Sequence, residues 1–316
     1  MNNFKKIGLT ALAASLVSVS AANAGSVTAS ATASMNMEGH SGTGLNAGTT
    51  YSMANSVTLA GSGELDNGLT VSVSFEMDQG TANNSSLGFD NHSVSVSSDS
   101  MGTLTLAGHG GSSATSAIDT TAAGDMWDNF DGLTVLGGVT IADAAIDNGG
   151  VDNSFFYASP DLMDGLNFTL SYNPQTATNQ GETGYGLNYT GFEGLSISYA
   201  VTDEETYLAN TTGDNTVIKA SYAYGPVTVS YSEMEHDEGL VTNDVTIDSY
   251  ALSYTVSDEL SITYGSETSA KGNAVADLEI DGLTVSYTTG GMTITASSMS
   301  LENGNYGTAS EQDMDY

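Results

Sequence analysis

Four aspartates stand close together around the only tryptophan of the chain: Asp119, Asp125, Asp128 and Asp131 around Trp127. Carboxylates in such a group can act as acid and base, hold a hard cation, or line a passage that prefers cations. No partner for acid–base or nucleophilic work accompanies them. The four histidines, His40, His92, His109 and His236, are scattered without metal-ligand spacing, and cysteine is absent. Serines recur as strand filler, so no nucleophile stands out. Asp147-Asn-Gly-Gly-Val-Asp152 is acidic and glycine-containing, but it matches neither the EF-hand loop nor the glycine-rich nonapeptide repeat. The residues therefore predict no enzyme, no cofactor and no metal site, with weak divalent-cation binding left open.

The elements that must position these acids are strands. In Gly68-Leu-Thr-Val-Ser-Val-Ser-Phe-Glu-Met-Asp-Gln-Gly80, Leu69, Val71, Val73, Phe75 and Met77 share one parity, and Thr70, Ser72, Ser74, Glu76 and Asp78 the other. Alternate side chains of a strand point to opposite faces, so one face is apolar and one wet. The unit recurs in Gly165–Tyr172, Gly194–Tyr199, Pro226–Tyr231, Glu259–Tyr264 and Gly282–Tyr287. About fifteen such segments lie between 26 and 301, joined alternately by short turns and long loops, which is the pattern of an antiparallel up-and-down meander in one domain. A sheet of that size curls or closes.

The first residues carry Lys5 and Lys6, then an apolar run, then Ala22-Asn23-Ala24. That order predicts a secretory signal peptide over 1–24 and a mature chain from Gly25. Without the leader, Lys219 and Lys271 are the only basic residues, against 38 acids and no arginine. Such a surface repels nucleic acid and attracts cations.

What the apolar face meets has two answers: a second sheet in a soluble sandwich, or lipid around a barrel. The wet face is Ser, Thr, Asn, Asp and Glu with almost no lysine. Tyrosines gather near strand ends at Tyr172, Tyr199, Tyr222, Tyr231, Tyr254, Tyr264 and Tyr287. Slim apolar residues, four or five to a strand, suit a hydrocarbon band crossed by about 10 tilted residues. These features favour a transmembrane antiparallel β-barrel. Glu76, Asp78 and Lys219 have the parity of the lumen.

Over most of its length the chain resembles the general diffusion porins of Gram-negative outer membranes, particularly the alphaproteobacterial type. "GSVTASATASMNM" is similar to the porin first strand and "GSGELDNGLTVSVSFEMD" to the second hairpin. "GTLTLAGH" with the loop after it is similar to the strand entering the inward-folded third loop, and Asn153, Ser154, Tyr157, Ser159 and Pro160 match a porin strand-pair motif. The resemblance implies a 16-stranded barrel in the outer membrane of a Gram-negative bacterium, usually a homotrimer, whose third loop narrows a pore for small hydrophilic solutes. It also shows departures. Family members commonly face the acidic loop with arginines, one often at the position of Phe156, and this chain has none. The segment Glu311–Tyr316 reads as the start of a strand, so the expectation is a porin domain over 25–316 lacking its closing strand.

Under that resemblance Asp119, Asp125, Asp128 and Asp131 become a cation-selective pore constriction, and Trp127 and Phe130 the anchors of a loop folded into the cavity. Ile141–Ala145 is a candidate short strand. The expected partners are outer-membrane lipid, small hydrophilic solutes and cations. The alternative is a non-conducting outer-membrane or secreted structural protein, such as an adhesin, whose barrel is plugged by its own loop. A secreted calcium-binding β-sandwich or β-solenoid is a third reading.

Overall fold

The computed structural model describes residues 6–10, 14–19, 26–42, 48–78, 89–130, 133, 152–174, 181–205, 213–238, 244–308 and 313–316. The cleavage motif at 22–24, Asp131 and the candidate strand at 141–145 lie outside the described residues. Two short strands come first, β1 (Lys6–Thr10) and β2 (Ala14–Val19). Fifteen more follow, all but β8 longer than these: β3 (Ser26–Gly42), β4 (Gly48–Glu64), β5 (Thr70–Asp78), β6 (Asn91–Ser98), β7 (Gly102–His109), β8 (Ser154–Ala158), β9 (Leu166–Asn173), β10 (Gly181–Tyr189), β11 (Leu195–Glu205), β12 (Gly213–Tyr224), β13 (Val227–Glu238), β14 (Val245–Thr255), β15 (Leu260–Lys271), β16 (Leu278–Thr289) and β17 (Met292–Glu302). A two-residue β18 (Met314–Asp315) ends the chain. The fifteen strands β3 to β17 coincide with the fifteen alternating segments, within a few residues at each end.

Each strand from β3 to β17 pairs antiparallel with the next. The sixteenth position lies between β17 and β3, and three pieces share it. β1 pairs with both neighbours, Leu9 facing Ile294 on one side and Met35 on the other. β2 runs beside β3. β18 bridges the same two strands at the opposite end, Met314 facing Leu301 and Gly42. In β2, Ala14-Ser-Leu-Val-Ser-Val19, the pairing with β3 shifts register between Leu16 and Val19, where two apolar residues stand side by side. The result is an all-β antiparallel barrel of sixteen positions, nearly closed, which leaves few of the free edges that a membrane would penalise.

Turn chemistry fixes one rim. Gly225-Pro226 joins β12 to β13 and Gly290-Gly291 joins β16 to β17. Gly165 sits at φ 68°, and a Cβ there would lie 2.3 Å from Gly191 N, so the turn into β9 needs glycine. The opposite rim carries the long connections, including the one from β7 to β8.

The outer face is the apolar one. Leu170, Leu187, Ile197, Val229, Leu252, Ile262 and Leu283 are exposed, as are Tyr172, Tyr199, Tyr222, Tyr254, Tyr264 and Tyr287. Apolar side chains facing outward around a closed sheet fit a lipid surround with interfacial tyrosines. None of the described helices is long and apolar enough to cross a membrane, a test that does not bear on strands.

Candidate functional site: a loop laid along the inner wall

After β7 the chain turns inward, and Ser113 to Phe130 lies against the inner wall from β9 round to β3. It is held largely by its own backbone. Ala114 N donates to Ser171 Oγ on β9 at 2.9 Å, and Thr115 N to Thr202 Oγ1 on β11 at 3.4 Å. Ala122 N donates to Ser232 Oγ on β13 at 2.8 Å, and Ala123 N to Ser249 Oγ on β14 at 2.9 Å. Met126 N donates to Glu267 Oε2 on β15 at 2.8 Å. On β12 the Lys219 ammonium donates to Thr120 O, on the same inner face. The loop ends against β17 and β3: Asn129 Nδ2 lies 3.5 Å from Met299 Sδ, and His40 Nε2 lies 2.9 Å from Asn129 O. Inward hydroxyls on β9, β11, β13 and β14 thus supply acceptors that loop amides need once out of water.

Small residues make room for this track. A Cβ at Gly184 on β10 would stand 2.4 Å from Ser171 Oγ and 2.9 Å from Ala114 Cβ. At Gly265 on β15 it would stand 2.7 Å from Ala123 Cβ and 2.8 Å from Met126 Sδ. Both glycines are therefore steric requirements of the docked loop.

Glu267 is the tightest fastening. It is 2% exposed. Thr121 Oγ1 donates to its Oε1, Ser249 Oγ donates to the same oxygen at 3.3 Å, and Met126 N holds Oε2. A buried carboxylate survives only with such donors. Thr121 Oγ1 also accepts from Gly124 N at 3.1 Å and Asp125 N at 2.8 Å, so one threonine closes the turn and ties it to the wall.

The acids named from sequence take different places. Asp125 adopts φ 53° and points its Oδ1 at Thr121 N, 2.9 Å away, so its carboxylate caps the loop's own turn. Asp119 is half-buried and Asp128 exposed. On the far wall Glu76 accepts from Asn91 Nδ2 at 3.0 Å, and Asp78 is exposed at the end of β5. Among the described residues no group of three His, Cys, Asp or Glu is set to hold a metal.

The expectation of an inner face made of Ser, Thr, Asn, Asp and Glu needs correction at one rim. Toward the long-loop rim, apolar residues take inward positions on β12, β13, β14, β16 and β17, namely Val217, Met234, Ile247, Leu278, Ile280 and Leu301, all at most 2% exposed, beside the buried polar Asn215 and Ser269. They pack on Met126, Trp127 and Phe130 of the loop and on Tyr306, Met314 and Tyr316 of the chain end. Phe130 is fully buried, with His40 and Tyr316 rings edge-on or tilted to it. The wall is apolar there because the loop and the last residues cover it, so it never meets water. Trp127 and Phe130 could be seen in the sequence. Glu267, Ser171, Thr202, Ser232 and Ser249 could not, because hydroxyls occupy that parity in nearly every strand; the one local cue was a lone acid beside Gly265 on the inward face of β15.

A membrane-embedded β-barrel narrowed by an inward loop defines a channel protein. The model of the Gram-negative porin family matches residues 8–299, and the chain belongs to that family. The family places it in the outer membrane as a channel. Among solved structures, the anion-selective porin from Comamonas acidovorans matches at 16% identity and TM-score 0.66, covering 98% of this chain and 96% of that one. A mutant of the Rh. blastica porin matches at 12% identity and TM-score 0.61 with the same coverage. OmpT of Vibrio cholerae matches at 16% identity and TM-score 0.61, covering 90% of this chain and 89% of that one. No curated protein sequence matches. At these identities the structures share the fold.

Proposed function

We propose that the barrel is a passive channel for small hydrophilic solutes with a preference for cations, working as a homotrimer after residues 1–24 are removed on export. The observation that carries the cation preference is the charge balance, 38 acids against only two lysines and no arginine outside residues 1–24. Lys219 donates to a loop carbonyl, and Lys271 stands 5.8 Å from the centre of the Tyr306 ring. Acids remain on both sides of the passage, Asp119 and Asp128 on the loop and Glu76 and Asp78 on the wall across from it. Carboxylates lining a narrow aqueous path raise the local concentration of cations.

The test is the zero-current potential across a planar bilayer holding the refolded protein under a salt gradient. A cation-selective sign is expected. It should fade as ionic strength rises, because the Debye length is only about 8 Å at 0.15 M. Combined Asp119→Asn, Asp128→Asn, Glu76→Gln and Asp78→Asn substitutions should move it toward zero. The anion selectivity described for the Comamonas porin belongs to that protein, and a potential of that sign here would overturn the reading. A second reading, a non-conducting plugged barrel, draws support from the apolar packing of Trp127 and Phe130 on the inner wall; a protein that inserts but passes no current would establish it.

A further inference from the structure

The half of the inner wall that the loop leaves alone has its own chemistry. Between β3 and β6 a cavity of about 320 Å³ opens on the lumen side, lined by Thr28, Ser62, Ser72, Ser74, Ser93 and Ser95 with Ala60 and the backbone of Gly61 and Val73. Register puts these hydroxyls in rows across the strands. Ser62 faces Ser72, Ser72 faces Ser95, and Ser74 faces Ser93. Rows on neighbouring strands stand about 4.8 Å apart, and successive inward residues of one strand about 6.7 Å apart. Among the described residues no charged side chain lines this cavity, although the chain carries 38 acids. A serine hydroxyl both donates and accepts and can rotate to suit its partner. A grid of them can replace, one contact at a time, the water around a solute that is itself covered in hydroxyls. An ion gains little from the hydroxyls themselves, the acids Glu76 and Asp78 standing further along the same face of β5, and an ether or alkyl solute offers the hydroxyls few donors.

We propose that this wall is a track for neutral polyhydroxylated solutes, the sugar and polyol class. The proposal rests on the channel reading. Weak contacts repeated along the path favour entry without trapping the solute.

Liposomes carrying the protein test it through swelling rates in sorbitol and in tetraethylene glycol, uncharged solutes of similar size that differ in hydroxyl count. Removing four oxygens in the combined Ser72→Ala, Ser74→Ala, Ser93→Ala and Ser95→Ala variant widens the passage. A hydroxyl track predicts that the sorbitol rate relative to tetraethylene glycol falls by about fivefold, the equivalent of one net hydrogen bond. A passage governed by width alone predicts both rates rising and the ratio unmoved, which overturns the proposal. If the alanine variant fails to insert, the combined serine-to-threonine variant decides. It keeps each hydroxyl while narrowing the path, so a preserved ratio supports the track and a ratio that shifts with width overturns it. KCl conductance is recorded in parallel. Conductance with an unmoved ratio removes the polyol track alone, whereas no conductance in the unaltered protein removes the channel reading beneath it.

Discussion

The two halves of the inner wall begin from nearly the same sequence and end with opposite chemistry. Thr70-Val-Ser-Val-Ser-Phe on β5 and Leu260-Ser-Ile-Thr-Tyr-Gly on β15 both alternate apolar and hydroxyl residues. The hydroxyls of β5 face open space beside a row of others. One strand position beyond the shared pattern, β15 places Gly265 and then Glu267 inward, and the loop sits on them. On β9, β11, β13 and β14 the same hydroxyl type accepts loop amides. A serine on one side is thus a surface for solute and on the other a structural acceptor. The difference is made by what covers the strand.

The sharpest way to break the comparison is at its most buried point. Phe130→Ala should cost about 3–5 kcal/mol of stability, the usual range for emptying a packed aromatic site. The denaturant midpoint in detergent should fall accordingly. On the open wall, Ser74→Ala alone should stay within about 0.5 kcal/mol, as for other substitutions away from packed features. Equal losses at the two sites would mean that the two walls do not differ as described.

Next comes the fastening carboxylate. Glu267→Ala strands the amide of Met126 and the hydroxyls of Thr121 and Ser249, an expected cost of about 1–3 kcal/mol for each buried group left unsatisfied. Single-channel records should show larger and noisier openings as the loop leaves the wall. Glu267→Gln keeps an acceptor and should recover quiet openings in large part. A noisy Glu267→Gln channel would show that the charge, not the acceptor geometry, holds the loop.

Gly265→Val probes the same contact sterically. Its side chain meets Ala123 and Met126, and overpacking of this kind costs about 1–3 kcal/mol. The expected result resembles Glu267→Ala in the current records, with every hydrogen-bonding group of the wall intact.

The smallest effect concerns charge. Asp78→Asn on the open wall should reduce cation preference at low salt and leave it unchanged near 1 M, where the Debye length is about 3 Å. Asp125→Asn should act through the turn instead, since its carboxylate faces Thr121 N, and should alter current noise more than selectivity. Selectivity that responds to Asp125 and ignores Asp78 would reverse the roles given to the two walls.

By itself the sequence determined the period-2 alternation of fifteen strands, the turns that join them and the outward tyrosines. Those depend on neighbours along the chain and on one choice of face, which local pattern carries in full. It also marked the long loop and its Trp127 and Phe130, because bulky apolar residues in a polar stretch must find cover. Tertiary structure alone decided which hydroxyls stay open and which receive the loop. It alone decided that Val217, Met234 and Ile247 are inward and dry, that Asp125 serves its own turn, and that Glu267 is buried. Each of these depends on contacts between residues far apart in the chain, as with Thr121 and Glu267 across 146 positions, and a strand's alternation reads the same whether its wet face meets water or another part of the chain.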